Sequence, residues 1–136
     1  MAKFLTTLAL LSAALFAAFA PVGAQGGAFL PERDYTITGD GAVAISSGVT
    51  LLTKGSAAAI TMAAPGAAGI GKVLTFTTGS DYAHVVTFTG ATLWDGTAGA
   101  NSTWTAAVVQ GSSLTVVGTT ATKWNVVSFN GGTIAP

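Results

Sequence analysis

The sequence predicts an all-β domain: an antiparallel β-sandwich or barrel of short strands with glycine-rich turns, preceded by an N-terminal apolar segment of helical character. Threonine, valine and isoleucine recur in short alternating runs after position 34, and such β-branched side chains fit a pleated surface. Glycine-rich turns separate the runs at the spacing of about 8–12 residues that is typical of sandwiches and barrels. No segment after Ala24 has a helical hydrophobic period.

The alternation of apolar and hydroxyl residues places ten strands along the chain. They are predicted at 35–38, 42–46, 49–53, 58–63, 72–78, 84–89, 103–109, 112–119, 123–129 and 133–135. The stretch 72–89 is predicted to form a hairpin, and 49–63 and 112–129 resemble it. These three stretches do not align at a fixed period, so a β-meander explains them as well as a repeat does. Residues 63–69 are predicted to be a loop, because Pro65 and the glycines cannot continue a central strand.

The chain divides at Ala24 into an apolar N-terminal segment, 1–24, then a linker, 25–34, and a β domain, 35–136. Lys3, an uncharged apolar run and the small residues before Gln25 have the layout of a cleaved signal peptide. A retained membrane anchor is a second interpretation, since the run at 4–20 reaches the lower limit of about 17 residues for a spanning helix. An apolar arm packed on a partner protein is the third. Contact with a membrane is expected only if the segment is retained as an anchor.

The composition limits the classes of partner. Only 7% of the residues are charged, and five basic and five acidic residues cancel. The scattered lysines form no basic patch, which excludes nucleic acid as a partner. Cysteine is absent, so neither disulfides nor thiolate metal sites are available. A small exported domain without disulfides must be stabilised by packing or by association, and we therefore expect a homo-oligomer.

Three short motifs suggest chemistry, but each has a simpler structural interpretation. The run 66–72 matches a phosphate-binding loop up to Lys72, but Val73 stands where Ser or Thr is needed and a strand follows instead of a helix. Ser80, Asp81 and His84 lie close together, yet nothing nearby has the strained turn and oxyanion hole of a catalytic triad. Asp95-Gly96 is better explained as a turn dipeptide than as part of a calcium site. We expect no enzymatic activity, no cofactor and no bound metal.

The large apolar residues are predicted to fill the core or a subunit interface. The candidates are Phe76, Phe88, Trp94, Trp104, Trp124 and Val126. The alternative is a sugar-stacking platform made by the three tryptophans together with Tyr35 and Tyr82. Core packing is favoured, because Trp104 and Trp124 sit in alternating strands and buried aromatics dominate small cores.

Five segments carry a resemblance to a known class of protein. They are ISSGVTLLTKG at 45–55, AAITMAAP at 58–65, GKVLTFT at 71–77, LWDG at 93–96 and KWNVVS at 123–128. In these segments the chain resembles small β-modules of tailed-bacteriophage virions, of the head-decoration or head-fibre type, over about 34–134. The resemblance implies a trimeric structural protein on the capsid surface, with the major capsid protein as partner and no catalytic residues to carry over.

The N-terminal segment departs from that class. Virion decoration proteins assemble in the cytoplasm and usually lack an N-terminal segment that resembles a signal peptide. The sequence therefore leaves two locations open. The first is the virion, with residues 1–24 as an apolar arm. The second is secretion or the cell surface after cleavage near Ala24, as a bacterial adhesin or a subunit of an extracellular assembly.

Overall fold

The computed structural model describes residues 34–45, 48–97 and 99–136, and it shows an all-β domain, as predicted. The strands are β1 (Asp34–Ile37), β2 (Gly41–Val43), β3 (Gly48–Leu52), β4 (Ala59–Ala63), β5 (Val73–Thr78), β6 (Val85–Thr89), β7 (Thr92–Trp94), β8 (Thr103–Thr105), β9 (Ser113–Thr120), β10 (Lys123–Asn130) and β11 (Thr133–Ala135). One turn of α-helix, Gly66–Gly69, lies between β4 and β5. The predicted apolar segment 1–24 and nearly all of the predicted linker 25–34 lie outside the described residues.

The strands form two sheets. Sheet A has six strands in the order β1-β3-β5-β9-β10-β7, and sheet B has five in the order β11-β8-β6-β4-β2. The chain alternates between the sheets from β1 to β6, so that each strand pairs in parallel with the strand two places earlier. The later strands add antiparallel pairs, except that β7 pairs in parallel with β10.

The prediction of a purely antiparallel sandwich is therefore wrong, and so is the predicted hairpin within 72–89. β5 belongs to sheet A and β6 to sheet B, and the same holds for β3 and β4 in the stretch 49–63. The connection after β5 crosses to the opposite sheet, where Val85 N bonds Ala58 O, because the inward face of each strand must meet the other layer. Of the three stretches, 112–129 alone is a hairpin, formed by the described antiparallel strands β9 and β10.

A fixed register relates two successive passages of the chain. Val49 pairs with Thr75 in sheet A, and Ile60 pairs with Val86 in sheet B, so both pairings join residues 26 positions apart. The two passages share a pattern of inward and outward residues but few identical residues, so the period of 26 residues is not visible as a sequence repeat. Backbone pairing depends on that pattern, since the side-chain period of a strand is two.

The core lies between the two sheets. In β4, β5, β6 and most of β9, buried residues alternate with more exposed ones. The rings of Phe76 from sheet A and Phe88 from sheet B meet edge to face, with centroids 6.3 Å apart. The sheets thus pack face to face through apolar side chains, and they do not close into a barrel.

Some boundaries differ from the predicted ones. β7 was not predicted, and the predicted strand 103–109 ends at Thr105. Residues beyond Thr105 leave the sheet because Ser112 Oγ bonds the carbonyl oxygens of Ala107 and Val109 and holds this stretch as a loop. The predicted loop 63–69 contains the helical turn, which packs on β9 at Gly118.

Candidate functional site

Several polar and ionisable side chains lie close together at the turns that join sheet A to sheet B. His84 is fully buried immediately before β6. Its Nδ1 accepts a hydrogen bond of 3.1 Å from Ala58 N, and its Nε2 lies 2.9 Å from Ser80 Oγ. Ser80 Oγ in turn donates to Lys54 O at 2.9 Å. The imidazole therefore links the turn before β4 to the turn before β6.

These contacts define the tautomer of His84. Nδ1 accepts from a backbone amide and so carries no proton, which places the proton of the neutral ring on Nε2. The Nε2–H then donates to Ser80 Oγ, whose own proton is directed at Lys54 O. A general base would have to accept the serine proton at Nε2. The pair is thus arranged to fasten two turns and not to activate the hydroxyl.

Asp81 does not complete a triad. Its Oδ1 accepts from Gln110 N at 2.9 Å, and this bond ties the turn before β6 to the loop before β9. Ser80, Asp81 and His84 are close in space, as the sequence suggested, but each is bonded to a different stretch of backbone.

Electrostatics keeps His84 neutral. Burial lowers the pKa of His84 below its ordinary value of 6.5, and the nearby Lys54 ammonium lowers this pKa further. Lys54 forms an ion pair of 2.8 Å with Asp40, whose Oδ1 also accepts from Ala59 N at 2.8 Å. These two hydrogen bonds hold the pKa of the Asp40 carboxyl below its usual 3.8.

Lys54 and Ala58 were not singled out by sequence reasoning. The signal that could have found Ala58 is the register of 26 residues, which places Ala58 and His84 at equivalent points of two successive passages. The His84 imidazole accepts from Ala58 N just before the pairing of β4 with β6 begins, so a side chain there serves as the acceptor of a backbone amide.

The glycine-rich run 66–72 does not form a phosphate cradle. Its amides are used internally, since Gly66 N bonds Ala121 O and Gly71 N bonds Gly118 O. Asp95 forms an Asx turn in which its Oδ1 accepts from the amide and the hydroxyl of Thr97, and these bonds lower the pKa of Asp95. In the part of the chain that the structure describes, no three carboxylate or histidine side chains are grouped so that they could hold a metal ion.

The residues expected in the core or an interface fall into two groups. Phe76, Phe88, Trp104 and Trp124 are at most 1% exposed, and Val126 is partly buried against them. Trp94 is 36% exposed and lies outside the core, with Lys123 Nζ 5.0 Å from its ring centroid. For Trp94 the interface alternative stays a prediction.

The sugar-stacking alternative loses two of its three tryptophans, because Trp104 and Trp124 are buried. Tyr82 is 42% exposed, but its ring lies edge to face with the imidazole of His84, at 6.5 Å between centroids. Trp104 and Trp124 therefore serve the packing of the protein itself.

Comparison of the chain with known protein families and with curated proteins finds no match. Of the described residues, none belongs to a helix long and apolar enough to cross a membrane.

Proposed function

We propose that this chain is a structural, non-enzymatic virion protein that decorates or stabilises a phage capsid surface through multivalent contacts. The observation that supports this proposal is the character of the two outer sheet faces. The outward residues of the described strands β3, β5 and β9 in sheet A, and of β4, β6 and β8 in sheet B, are Val, Leu, Ala, Thr and Ser, none of which is ionisable. Such surfaces desolvate at low cost when they meet another protein.

The use of the polar residues also favours a structural role. His84, Ser80 and Asp81 each bond backbone atoms of neighbouring turns, and Asp40 does the same at the preceding turn. These side chains hold successive passages of the chain together through bonds to the backbone.

A decoration protein needs only modest affinity for each binding site. If several copies are linked, the later contacts become intramolecular and the avidity exceeds that of one copy by about 10²–10⁴. We therefore propose a homo-oligomer, with a trimer as the expected form, bound to a major capsid protein.

The alternative is a secreted or cell-surface bacterial β-module, and the signal-like layout of residues 1–24 favours it. Mass spectrometry of the native chain, after separation of sedimenting particles from the medium and the cell envelope, distinguishes the two. The virion proposal expects an intact Met1 in particles that also contain the capsid protein. A chain that begins at Gln25 in the medium or envelope, and is missing from particles, would overturn it.

A further inference from the structure

The three central strands of sheet A carry an outward patch of aliphatic and hydroxyl side chains. We call it the sheet A patch, and it consists of Val49, Leu51, Val73, Thr75, Thr115 and Val117. Their neighbours along each strand, such as Leu52, Phe76 and Val116, point into the core. Because successive side chains of a strand alternate, the six residues share the opposite side of the sheet.

The register makes the patch continuous. Val49 pairs with Thr75, and Thr75 pairs with Thr115 on the next strand. Val73 pairs directly with Val117, so two β-branched side chains stand side by side. These residues are half-buried apart from Val73, which is 43% exposed.

The patch costs little to remove from water. It contains no ionisable group, so association would desolvate no charge there. The hydroxyls of Thr75 and Thr115, near its centre, bond each other at 3.0 Å. They thus retain a hydrogen-bond partner when water is excluded.

More polar residues surround this centre on the same sheet. Asn125 pairs with Val117 on one side and with Trp94 on the other, and Lys123 covers the ring of Trp94. An uncharged centre bordered by polar and aromatic residues is the usual arrangement of a protein–protein interface.

The size of the sheet is compatible with such an interface. Six strands of three to eight residues, about six on average and spaced about 4.8 Å apart, give a face of roughly 550 Å² in flat projection. Side chains standing on the sheet increase the accessible area, which then reaches the lower end of the range of about 600–1,000 Å² per partner.

We infer that the outer face of sheet A, centred on the sheet A patch, is the surface through which copies of this chain associate. This inference rests on the self-association part of the proposed function. A second copy is the occupant that the charge distribution favours, because this uncharged patch can meet the surface of another copy without repulsion or an unpaired ion. On the outer face of sheet B, Thr61, Thr87 and Thr103 form one row of hydroxyl side chains across neighbouring strands.

The test is sedimentation velocity of the full chain over a wide dilution range, with matched lysine substitutions. Val117→Lys places a charge at the sheet A patch. If copies associate through this face, the new charge is brought against the uncharged surface or the same lysine of another copy. Thr87→Lys is the control, since Thr87 is also half-buried and lies on the outward side of a central strand, but in sheet B. Val73→Lys is a second variant at a site already 43% exposed, and it decides the question if Val117→Lys does not fold by circular dichroism.

We expect the unmodified chain to associate, and Val117→Lys and Val73→Lys to raise the concentration for half-association by about tenfold or more. Thr87→Lys should leave the concentration for half-association within about twofold of the value for the unmodified chain. If Thr87→Lys alone weakens association, or if no variant does, a different surface is used and the inference is wrong while self-association stands. If the unmodified chain is monomeric throughout, both the inference and the oligomer proposal are wrong, whereas the virion location is decided separately by the particle experiment.

Discussion

The indole Nε1 of Trp124 donates a hydrogen bond of 3.0 Å to the backbone carbonyl of Ala63. Trp124 lies in β10 of sheet A, and Ala63 ends β4 of sheet B. The side chain thus fills the space between the two layers and satisfies the last carbonyl of a strand in the opposite layer. The same residue supplies both apolar contact and a polar link between the sheets.

Trp124→Ala should lower the free energy of unfolding by about 3–5 kcal/mol, because it leaves a cavity in the core and removes the partner of Ala63 O. Urea denaturation followed by far-UV circular dichroism measures this change. The control is Trp94→Ala, which should cost less than about 1 kcal/mol, since Trp94 is 36% exposed. Equal losses for the two variants would contradict the burial of Trp124.

Gly118→Ala should be strongly destabilising. A Cβ at Gly118 would overlap the carbonyl oxygen of Gly69, where the helical turn packs on β9. Relief requires a shift of backbone, and we expect a loss of about 1–3 kcal/mol in thermal or urea unfolding. Gly55→Ala is the matched control, because a Cβ there meets nothing within 4 Å. A stable Gly118→Ala protein would show that the turn does not approach β9 so closely.

The stability of the domain should fall in mild acid through His84. Its pKa is lowered on folding, so the unfolded chain binds the proton more tightly and the contribution of His84 is complete above about pH 6.5. As the pH falls below 6.5 this contribution decreases, by at most about 1.4 kcal/mol per pH unit, until the pKa of the folded state is passed.

The variant His84→Leu separates this effect from other titrations. It should be less stable by about 1–3 kcal/mol near pH 7.5, because Ala58 N loses its acceptor. Its stability should not show the decline that begins near pH 6.5. Urea denaturation at several pH values checks both points, and an identical pH profile in the two proteins would rule out His84 as the cause.

Lys54→Met should raise the pKa of His84 toward 6.5. The Lys54 ammonium is the second cause of the lowered pKa, and burial, the largest cause, remains in the variant. The pKa should therefore rise but stay below 6.5. His84 is the sole histidine, so its imidazole proton resonances can be titrated by NMR without ambiguity. Lys72→Met should leave the titration unchanged, and a similar shift in both variants would argue against a local effect of Lys54.

The strands themselves could be predicted from the sequence. Alternation in LTFTT at 74–78 and VVTFT at 85–89 identifies both the strands and their inward residues, because one face of each strand must be apolar. Short β7 was missed because three residues are too few for a period to be recognised. The loop at 106–111 contains Val108 and Val109, whose β-branched side chains extended the predicted strand beyond its true end.

The candidate site was predictable only in part. Ser80, Asp81 and His84 are close together along the chain, and they are close in space for that reason. Their roles depend on Ala58 N, Lys54 O and Gln110 N, which are 26, 26 and 29 positions away. A backbone atom has no signature in the sequence, so the tautomer of His84 could not have been inferred without the fold.

The sequence by itself determined the all-β class, the inward and outward faces of most strands and the scarcity of charge, because these depend on side-chain type and local alternation. The tertiary structure decided which strands are neighbours. A turn such as 79–84 has similar local chemistry whether it reverses the chain within one sheet or carries it across to the other. The choice is made by burial over the whole domain, since Phe76 and Phe88 contact each other across the core only if β5 and β6 lie in opposite sheets.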